Sequence, residues 1–215
     1  LDEFAQLPGA ILISEGGMGK TTLMDQLKQR FPDGSALMLR LGLYAGDSNG
    51  LRNDINDFIN ALPPNSNGVI IFDGLDEAYD LCGAVIRIIQ SIPESISVWI
   101  ASRDDIAIRG IQTEFPKLIS YSLAPLSVTD ILALCSDWGF DNELFLKKVQ
   151  LLGITAICAK PIGCNLVLSV YKETDFAGLS QVEIWLKGIT HLCDDTQSVT
   201  KQIQNRKFPL NQVVN

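Results

Sequence analysis

The chain has little of what a protein-built metal centre or a disulfide framework requires. It contains a single histidine, His191, and none of its five cysteines forms a Cys-x-x-Cys pair. Zinc sites normally combine several such ligands at short spacings. The cysteine count is odd and most of the cysteines have apolar neighbours, so we expect free, buried thiols in a reducing compartment. These cysteines are Cys82, Cys135, Cys158, Cys164 and Cys193.

Long apolar runs and excess positive charge are also missing. No uninterrupted apolar stretch approaches the roughly 20 residues of a membrane-spanning helix, and no signal peptide is visible. The chain has 17 Lys and Arg against 25 Asp and Glu, a formal net charge of −8. A protein that grips nucleic acid through phosphates normally has a basic face. We therefore expect a cytoplasmic chain with no membrane contact and no direct nucleic-acid binding.

What is present indicates an α/β fold in the first part of the chain. Short runs that are apolar on both faces alternate there with segments of helical periodicity. Such strands are typical of a parallel sheet covered by helices. The predicted strands are 10–13, 36–41, 69–72, 97–101 and 118–123, and predicted helices include 20–30, 77–92 and 106–115.

Beyond Pro125 the strand pattern stops and helical patterns follow one another. We expect an α/β domain at 1–125, a helical domain at 126–178 and a further helical segment at 179–215. The first residue is Leu1 rather than methionine, so we expect a piece of a longer protein. The predicted helices in this part are 127–138, 142–152, 161–172 and 180–205.

A glycine-rich turn lies between the first predicted strand and the first predicted helix. It reads Ser14-Glu15-Gly16-Gly17-Met18-Gly19-Lys20-Thr21-Thr22. This follows the phosphate-loop (P-loop) pattern G-x-x-x-x-G-K-[ST], with Ser14 in place of the first glycine. Glycines let the backbone wrap a triphosphate at the positive end of the following helix. We expect residues 15–22 to bind nucleotide, with Lys20 on the β- and γ-phosphates and Thr21 on magnesium.

The third predicted strand ends in acidic residues. Asp73 follows an apolar run, and Asp76 and Glu77 come shortly after it. Ligands of α/β folds bind at the carboxyl edge of the sheet, so Asp73 is predicted to hold magnesium opposite Thr21. Glu77 is predicted to polarise the attacking water as the base. Asp76 would support magnesium or serve as the alternative base, and a helix-capping role for it stays open.

An arginine follows the fourth predicted strand. Arg103 stands directly after Ser102, where a cation would sense the γ-phosphate and stabilise the charge that develops on it. The alternative is a local ion pair between Arg103 and the adjacent Asp104 or Asp105.

Taken together, these motifs resemble the NACHT family within the STAND class of signalling ATPases. The resemblance covers about residues 8 to 173. It rests on the Gly16–Leu23 loop, on Asp73-Gly74-Leu75-Asp76-Glu77, on Ala101-Ser102-Arg103 and on Leu123–Ser127, which looks like the family's entry into its helical domain. It implies a three-layer P-loop NTPase sheet of order 5-1-4-3-2 followed by a small helical domain. It also implies that Pro161 closes over the adenine and that 179–215 begins a winged-helix domain.

The resemblance further implies a slow ATPase that acts as a switch. Proteins of this family typically stay monomeric with ADP and oligomerise with ATP when a sensor domain is engaged. An attached effector then acts in immunity, cell death or defence against phage. The expected cofactors are ATP or ADP with Mg²⁺, and the expected partner besides nucleotide is a second copy, contacted through flanking domains.

Two other functions stay open. A small-molecule or nucleotide kinase would use the same loop but needs an acceptor pocket and an arginine-bearing lid, for which Arg109 is the candidate. A non-catalytic oligomerisation module would hold ADP permanently. A GTPase is disfavoured because the chain has no Asn-Lys-x-Asp motif.

Overall fold

The structure, a computed structural model, describes residues 7, 9–63, 66–103 and 106–203. The chain divides into two compact units, 1–124 and 125–215. The first unit alternates strands with helices. Its strands are β1 (Gly9–Ile13), β2 (Ala36–Arg40), β3 (Gly68–Asp73), β4 (Ile96–Ser102) and β5 (Ile119–Tyr121). Its α-helices are α1 (Lys20–Lys28), α2 (Ser48–Ala61), α3 (Cys82–Ser91) and α4 (Ile106–Glu114), and 3-10 turns cover Leu41–Tyr44, Leu75–Glu77 and Tyr79–Leu81.

The five strands form one parallel sheet. Their order is β2-β3-β4-β1-β5, which read from the opposite edge is 5-1-4-3-2, the order expected from the sequence. All strand pairs described are parallel. Parallel neighbours need crossover connections, and the helices between successive strands provide them. The predicted α/β class is therefore confirmed.

Both faces of the sheet are covered, which explains the continuous apolar runs. All six residues of β3 are buried. Ile70 and Phe72 belong to one hydrophobic cluster, together with residues of α2 and α3. Val69 and Ile71 belong to a second cluster, together with residues of α1. Because successive side chains of a strand point to opposite faces, the two clusters are the two layers that enclose the sheet.

Some element boundaries differ from the predicted ones. The helix predicted over 77–92 begins only at Cys82, after two 3-10 turns. Gly74 adopts the left-handed conformation (φ 76°) and turns the chain sharply after Asp73, so Asp76 and Glu77 lie on a tight turn instead of a regular helix. Strand β5 has three residues instead of the predicted six. It lies at the edge of the sheet, and its three residues pair with Ala10, Ile11 and Leu12 of β1.

In the second unit, the regular elements between residues 125 and 203 are all helices. A capping box opens it, since the Ser127 hydroxyl accepts a bond from the Asp130 N–H (3.2 Å) and the Asp130 carboxylate accepts one from the Ser127 N–H (2.8 Å). The helices are α5 (Val128–Asp137), α6 (Asn142–Leu151), α7 (Thr155–Cys158), α8 (Pro161–Thr174) and α9 (Gln181–Ile203). Helix α7 was not predicted from the sequence, because a single turn leaves no helical periodicity.

The core of the helical unit combines aromatic rings and thiols. Phe145 and Tyr171 meet edge to face with their centroids 5.1 Å apart. All five cysteines lie within the described residues and none forms a disulfide, and Cys135, Cys158 and Cys164 are fully buried in this unit.

The end of the chain was predicted to begin a winged-helix domain. Residues 181–203 of that segment form the single helix α9, and 204–215 lie outside the described residues. Among the helices that the structure describes, none is both long and apolar enough to cross a membrane.

The close contact between α7 and α8 yields a stability prediction. A Cβ added at Gly163 would lie 2.1 Å from the Ile157 carbonyl oxygen, so Gly163→Ala forces the two helices apart. We expect the free energy of unfolding to fall by about 1–3 kcal/mol, as for other overpacked sites. Urea unfolding followed by circular dichroism measures it.

The control is Gly110→Ala in α4. There the added Cβ would make an ordinary 3.5 Å contact with Ile86 Cδ1. Because alanine favours helices, this variant should be neutral or more stable by up to about 1 kcal/mol. Equal destabilisation of both variants would contradict the packing argument.

Candidate nucleotide-binding site

The carboxyl edge of the sheet brings the predicted site residues together. In the register of the sheet, Ile13 at the end of β1 pairs with Ser102, and Asp73 at the end of β3 pairs with Ala101. The segments that follow β1, β3 and β4 therefore leave the sheet side by side. They carry the glycine-rich loop, the acidic turn and Arg103.

The backbone of the loop has the conformation that its glycines permit. Gly17 and Gly19 adopt positive φ angles of 79° and 88°, which residues with a Cβ rarely adopt. Gly19 is the N-cap of α1, and no side chain caps this end of the helix. The N–H groups of the first turn and the positive end of the helix dipole therefore face the loop, as an anion site requires.

Lys20, the first residue of α1, turns back towards the loop. Its Nζ donates a short hydrogen bond to the Ser14 carbonyl and another of 2.8 Å to the Glu15 carbonyl. Burial lowers the pKa of Lys20, and Arg103 lowers it further, while the carboxylates of Asp76, Asp73 and Glu77 raise it. The ammonium group is thus held at the centre of the loop by oxygen acceptors.

Thr21 and Asp73 form the contact that joins the loop to the acidic strand end. The Thr21 hydroxyl donates to Asp73 Oδ2 over 2.9 Å. Burial raises the pKa of Asp73 and the nearby Glu77 raises it as well, whereas the Thr21 hydrogen bond and Arg40 lower it. A hydroxyl beside a carboxylate is the oxygen donor set that Mg²⁺ prefers. These two residues fit the predicted magnesium site, with substrate phosphates and water as the remaining ligands.

Arg103 contacts both candidate bases. Its backbone N–H donates to Asp76 Oδ1 (2.8 Å), and its Nε lies 3.4 Å from Asp76 Oδ2. Its Nη2 forms a short ion pair with Glu77 Oε1. The Asp76 side chain is 11% exposed and that of Glu77 47% exposed. Asp76 is therefore fixed between the backbone and the guanidinium, while Glu77 keeps access to water.

Two residues of this site were not identified from the sequence. Ser102, fully buried, places its Oγ 3.4 Å from Asp76 Oδ1. Gly42 follows β2, and a Cβ there would lie 3.0 Å from Glu77 Oε2. The signal for Ser102 was its place at a strand end beside Arg103. For Gly42 the sequence offers only a glycine near a strand end, which does not reveal its neighbour.

The remaining predicted residues lie on the loop or in the second unit. Glu15, Gly16 and Thr22 are exposed and Met18 is buried. Pro161 is the first residue of α8 in the second unit, and its placement on the adenine stays a prediction. The alternative partners of Arg103, Asp104 and Asp105, lie outside the described residues. Within the described ranges, no cluster of three or more His, Cys, Asp and Glu side chains could hold a metal ion.

Comparison with known proteins finds similarity in fold but not in sequence. No protein-family model and no curated protein matches the sequence. Solved structures do match. The Walker-type ATPase paby2304 of Pyrococcus abyssi has a TM-score of 0.57 at 10% identity, over 94% of this chain and 72% of that one. The chain therefore shares the α/β fold of this Walker-type ATPase.

Two further solved structures match the chain. Orc1 of Aeropyrum pernix, solved in complex with DNA, has a TM-score of 0.57 at 11% identity, over 97% of this chain and 67% of that chain. Cdc6p of Pyrobaculum aerophilum has a TM-score of 0.46 at 15% identity, and the match covers 61% of this chain but 43% of Cdc6p. At these identities the similarity concerns the fold alone.

The burial of the Asp73 carboxylate leads to a prediction about the stability of Asp73→Asn. Because the pKa of Asp73 is raised, the folded chain binds the proton more tightly than the unfolded chain between the two pKa values. Stability therefore falls as pH rises through that window. Asp73→Asn removes this fall in stability, because asparagine does not ionise. Without nucleotide we therefore expect the variant to have a higher urea midpoint than the native chain at pH 7. The gain should shrink towards about pH 4, the ordinary pKa of aspartate.

Asp57→Asn is the matched control, since Asp57 is exposed on α2. It should leave the urea midpoint unchanged at both pH values. A lower midpoint for Asp73→Asn at pH 7 would mean that the carboxylate stabilises the fold.

Proposed function

We propose that this chain binds ATP with magnesium and hydrolyses it slowly, as the nucleotide-dependent switch of a larger protein. The observation that carries the proposal is the 2.9 Å hydrogen bond from Thr21 to Asp73, formed next to the loop that holds Lys20. It places a hydroxyl, a carboxylate and an ammonium group at one helix N-terminus. That combination suits a triphosphate and its metal ion.

Binding would use the groups that the loop already orders. Lys20 would exchange the carbonyls of Ser14 and Glu15 for β- and γ-phosphate oxygens, and the amides of 15–22 would surround the phosphates. Thr21 and Asp73 would hold Mg²⁺, directly or through water. When bound, the ion neutralises charge on the phosphates.

Hydrolysis would depend on the acidic turn. Glu77 has the exposure that a base needs to polarise a water molecule, so it is the proposed base. Asp76 is held by the Arg103 backbone and guanidinium, which suits a positioning role better than proton transfer. Arg103 would turn from the two carboxylates towards the γ-phosphate and stabilise the charge developing there.

The narrower assignment is to the NACHT family of STAND switches. Its support is the loop of residues 16–23, the Asp73–Glu77 turn and the helical unit that follows Leu123. In this proposal Pro161 contacts the adenine, and the bound nucleotide controls self-association through flanking domains. The match covers 43% of Cdc6p, and any effector or sensor role is part of this proposal. We do not propose DNA binding for this chain, because its formal net charge is −8.

One observation favours a second function, a non-catalytic module that holds ADP. Arg103 neutralises both candidate bases, and if it kept these contacts with ATP bound, neither carboxylate would activate water. Purified protein carrying ADP that does not exchange would support this alternative. Steady release of phosphate from ATP would exclude it.

Lys20→Ala tests nucleotide binding. Losing charge-assisted contacts to two phosphates costs about 3 kcal/mol, so we expect ATP affinity to fall by about 100-fold or more. Isothermal titration calorimetry with ATP and magnesium measures it. Lys28→Ala, an exposed lysine on the same helix, is the control and should bind like the native chain. Native affinity in Lys20→Ala would contradict the site.

Glu77→Gln tests the base. The amide cannot accept the proton, so we expect kcat to fall by about 10²–10³-fold while ATP affinity stays near the native value. Phosphate release and calorimetry measure the two quantities. Asp76→Asn in parallel should lower kcat less. Unchanged turnover in Glu77→Gln with loss in Asp76→Asn would move the base to Asp76.

Arg103→Ala tests recognition of the γ-phosphate. Because Arg103 is proposed to contact the γ-phosphate alone, the variant should lose affinity for ATP but not for ADP, and kcat should fall by about 10²-fold. Competition binding with both nucleotides measures the preference. Arg87→Ala, an exposed arginine on α3, is the control. Equal losses for ATP and ADP would show that Arg103 only supports the fold.

A further inference from the structure

Ser14 occupies the loop position where the P-loop pattern has glycine, directly after β1. Among the residues that the structure describes, the buried polar side chains are Ser14, Asp73 and Ser102. All three stand at the carboxyl edge of the sheet, where β1, β3 and β4 end. Asp73 accepts the hydrogen bond from Thr21, and Ser102 contacts Asp76. Ser14 has a different set of contacts.

The hydroxyl of Ser14 reaches the end of the neighbouring edge strand. It donates to the Ile13 carbonyl (2.7 Å) and accepts from the Leu123 backbone N–H (2.7 Å), and the Ser122 hydroxyl lies 3.4 Å away. Leu123 follows β5, whose pairing with β1 stops at Tyr121. The serine side chain therefore extends the contact between these strands beyond the ladder. Glycine could not make this contact.

The backbone of Ser14 faces the nucleotide loop. Its N–H donates to the Ser102 carbonyl over 3.2 Å, and its carbonyl accepts the short bond from Lys20 Nζ. One residue thus joins the phosphate-binding lysine, the strand end before Arg103 and the Leu123 amide. Leu123 stands two residues before Pro125, the first residue of the second unit.

We propose that Ser14 is a positioning residue that couples nucleotide binding at the loop to the Leu123 amide, at the exit from the first unit. This inference rests on the proposed function. To reach phosphate oxygens, Lys20 must leave the Ser14 carbonyl. That carbonyl then loses a charged donor and Ser14 shifts. The shift changes the length of the hydrogen bond from the Leu123 N–H to the Ser14 hydroxyl. Coupling is reciprocal, so holding Leu123 in one geometry also changes ATP affinity.

The experiment measures amide hydrogen exchange at Leu123 by NMR, with and without ATP and magnesium, in the native chain and in Ser14→Ala. Coupling free energies of 1–3 kcal/mol correspond to changes of about 5-fold or more. We expect ATP to change the Leu123 exchange rate by at least about 5-fold in the native chain. In Ser14→Ala this response should disappear although calorimetry still detects ATP binding.

Matched variants separate coupling from simple support of the strand. Ser14→Thr retains the hydroxyl and should restore the response, and Ser122→Ala should behave like the native chain. Ser14→Gly, which restores the P-loop pattern, should bind ATP without the Leu123 response and replaces Ser14→Ala if that variant does not fold. If the Ser14 hydroxyl only supported the strand, its removal would raise the Leu123 exchange rate equally with and without ATP.

Two results would overturn the inference. One is ATP binding to the native chain with no change at Leu123, which leaves the proposed function intact. The other is an ATP response in Ser14→Ala and Ser14→Gly as large as in the native chain. If the native chain binds no nucleotide at all, the proposed function fails and the coupling fails with it.

Discussion

The hydrogen bond between Thr21 and Asp73 is the contact on which the rest of the site depends. It joins the first turn of α1 to the end of β3, two segments that are 52 residues apart in the chain. Burying Asp73 is costly for its ionised form, and the Thr21 hydroxyl offsets part of that cost. A metal ion at this point would offset more, because it supplies positive charge where water is excluded. The fold therefore holds a carboxylate where only a cation or a strong donor makes it favourable.

Charges around this contact are arranged so that a triphosphate can replace existing partners. Lys20 is bonded to two carbonyls of its own loop, and Arg103 to the Asp76 and Glu77 carboxylates. These contacts already restrict the side chains of Lys20 and Arg103, so less conformational entropy is lost when they bind phosphate. The same contacts also oppose weak ligands, since a ligand must offer better hydrogen-bond acceptors than the carbonyls and carboxylates that it displaces.

A parallel sheet could be predicted because its strands are apolar on both faces, and its order because the motifs resemble those of a known family. The proximity of Thr21 and Asp73 could be predicted because the loop after β1 and the end of β3 lie at the same edge of the sheet. The partners of Arg103 could not, since Asp104 and Asp105 adjoin it in sequence while β3–β4 pairing brings Asp76 and Glu77 to it. The Ser14 bond to Leu123 was equally hidden, because it depends on β1–β5 register. The two 3-10 turns before α3 depend on the left-handed Gly74, which the apolar periodicity of the segment does not reveal.

The most direct test is calorimetric titration of ATP into the native chain, once with magnesium and once with a chelator. If Thr21 and Asp73 hold the metal ion beside the phosphates, magnesium should tighten ATP binding by about 10-fold or more, because two ligands of the ion come from the protein. Binding that is equally tight with the chelator, or no binding under either condition, would contradict the account.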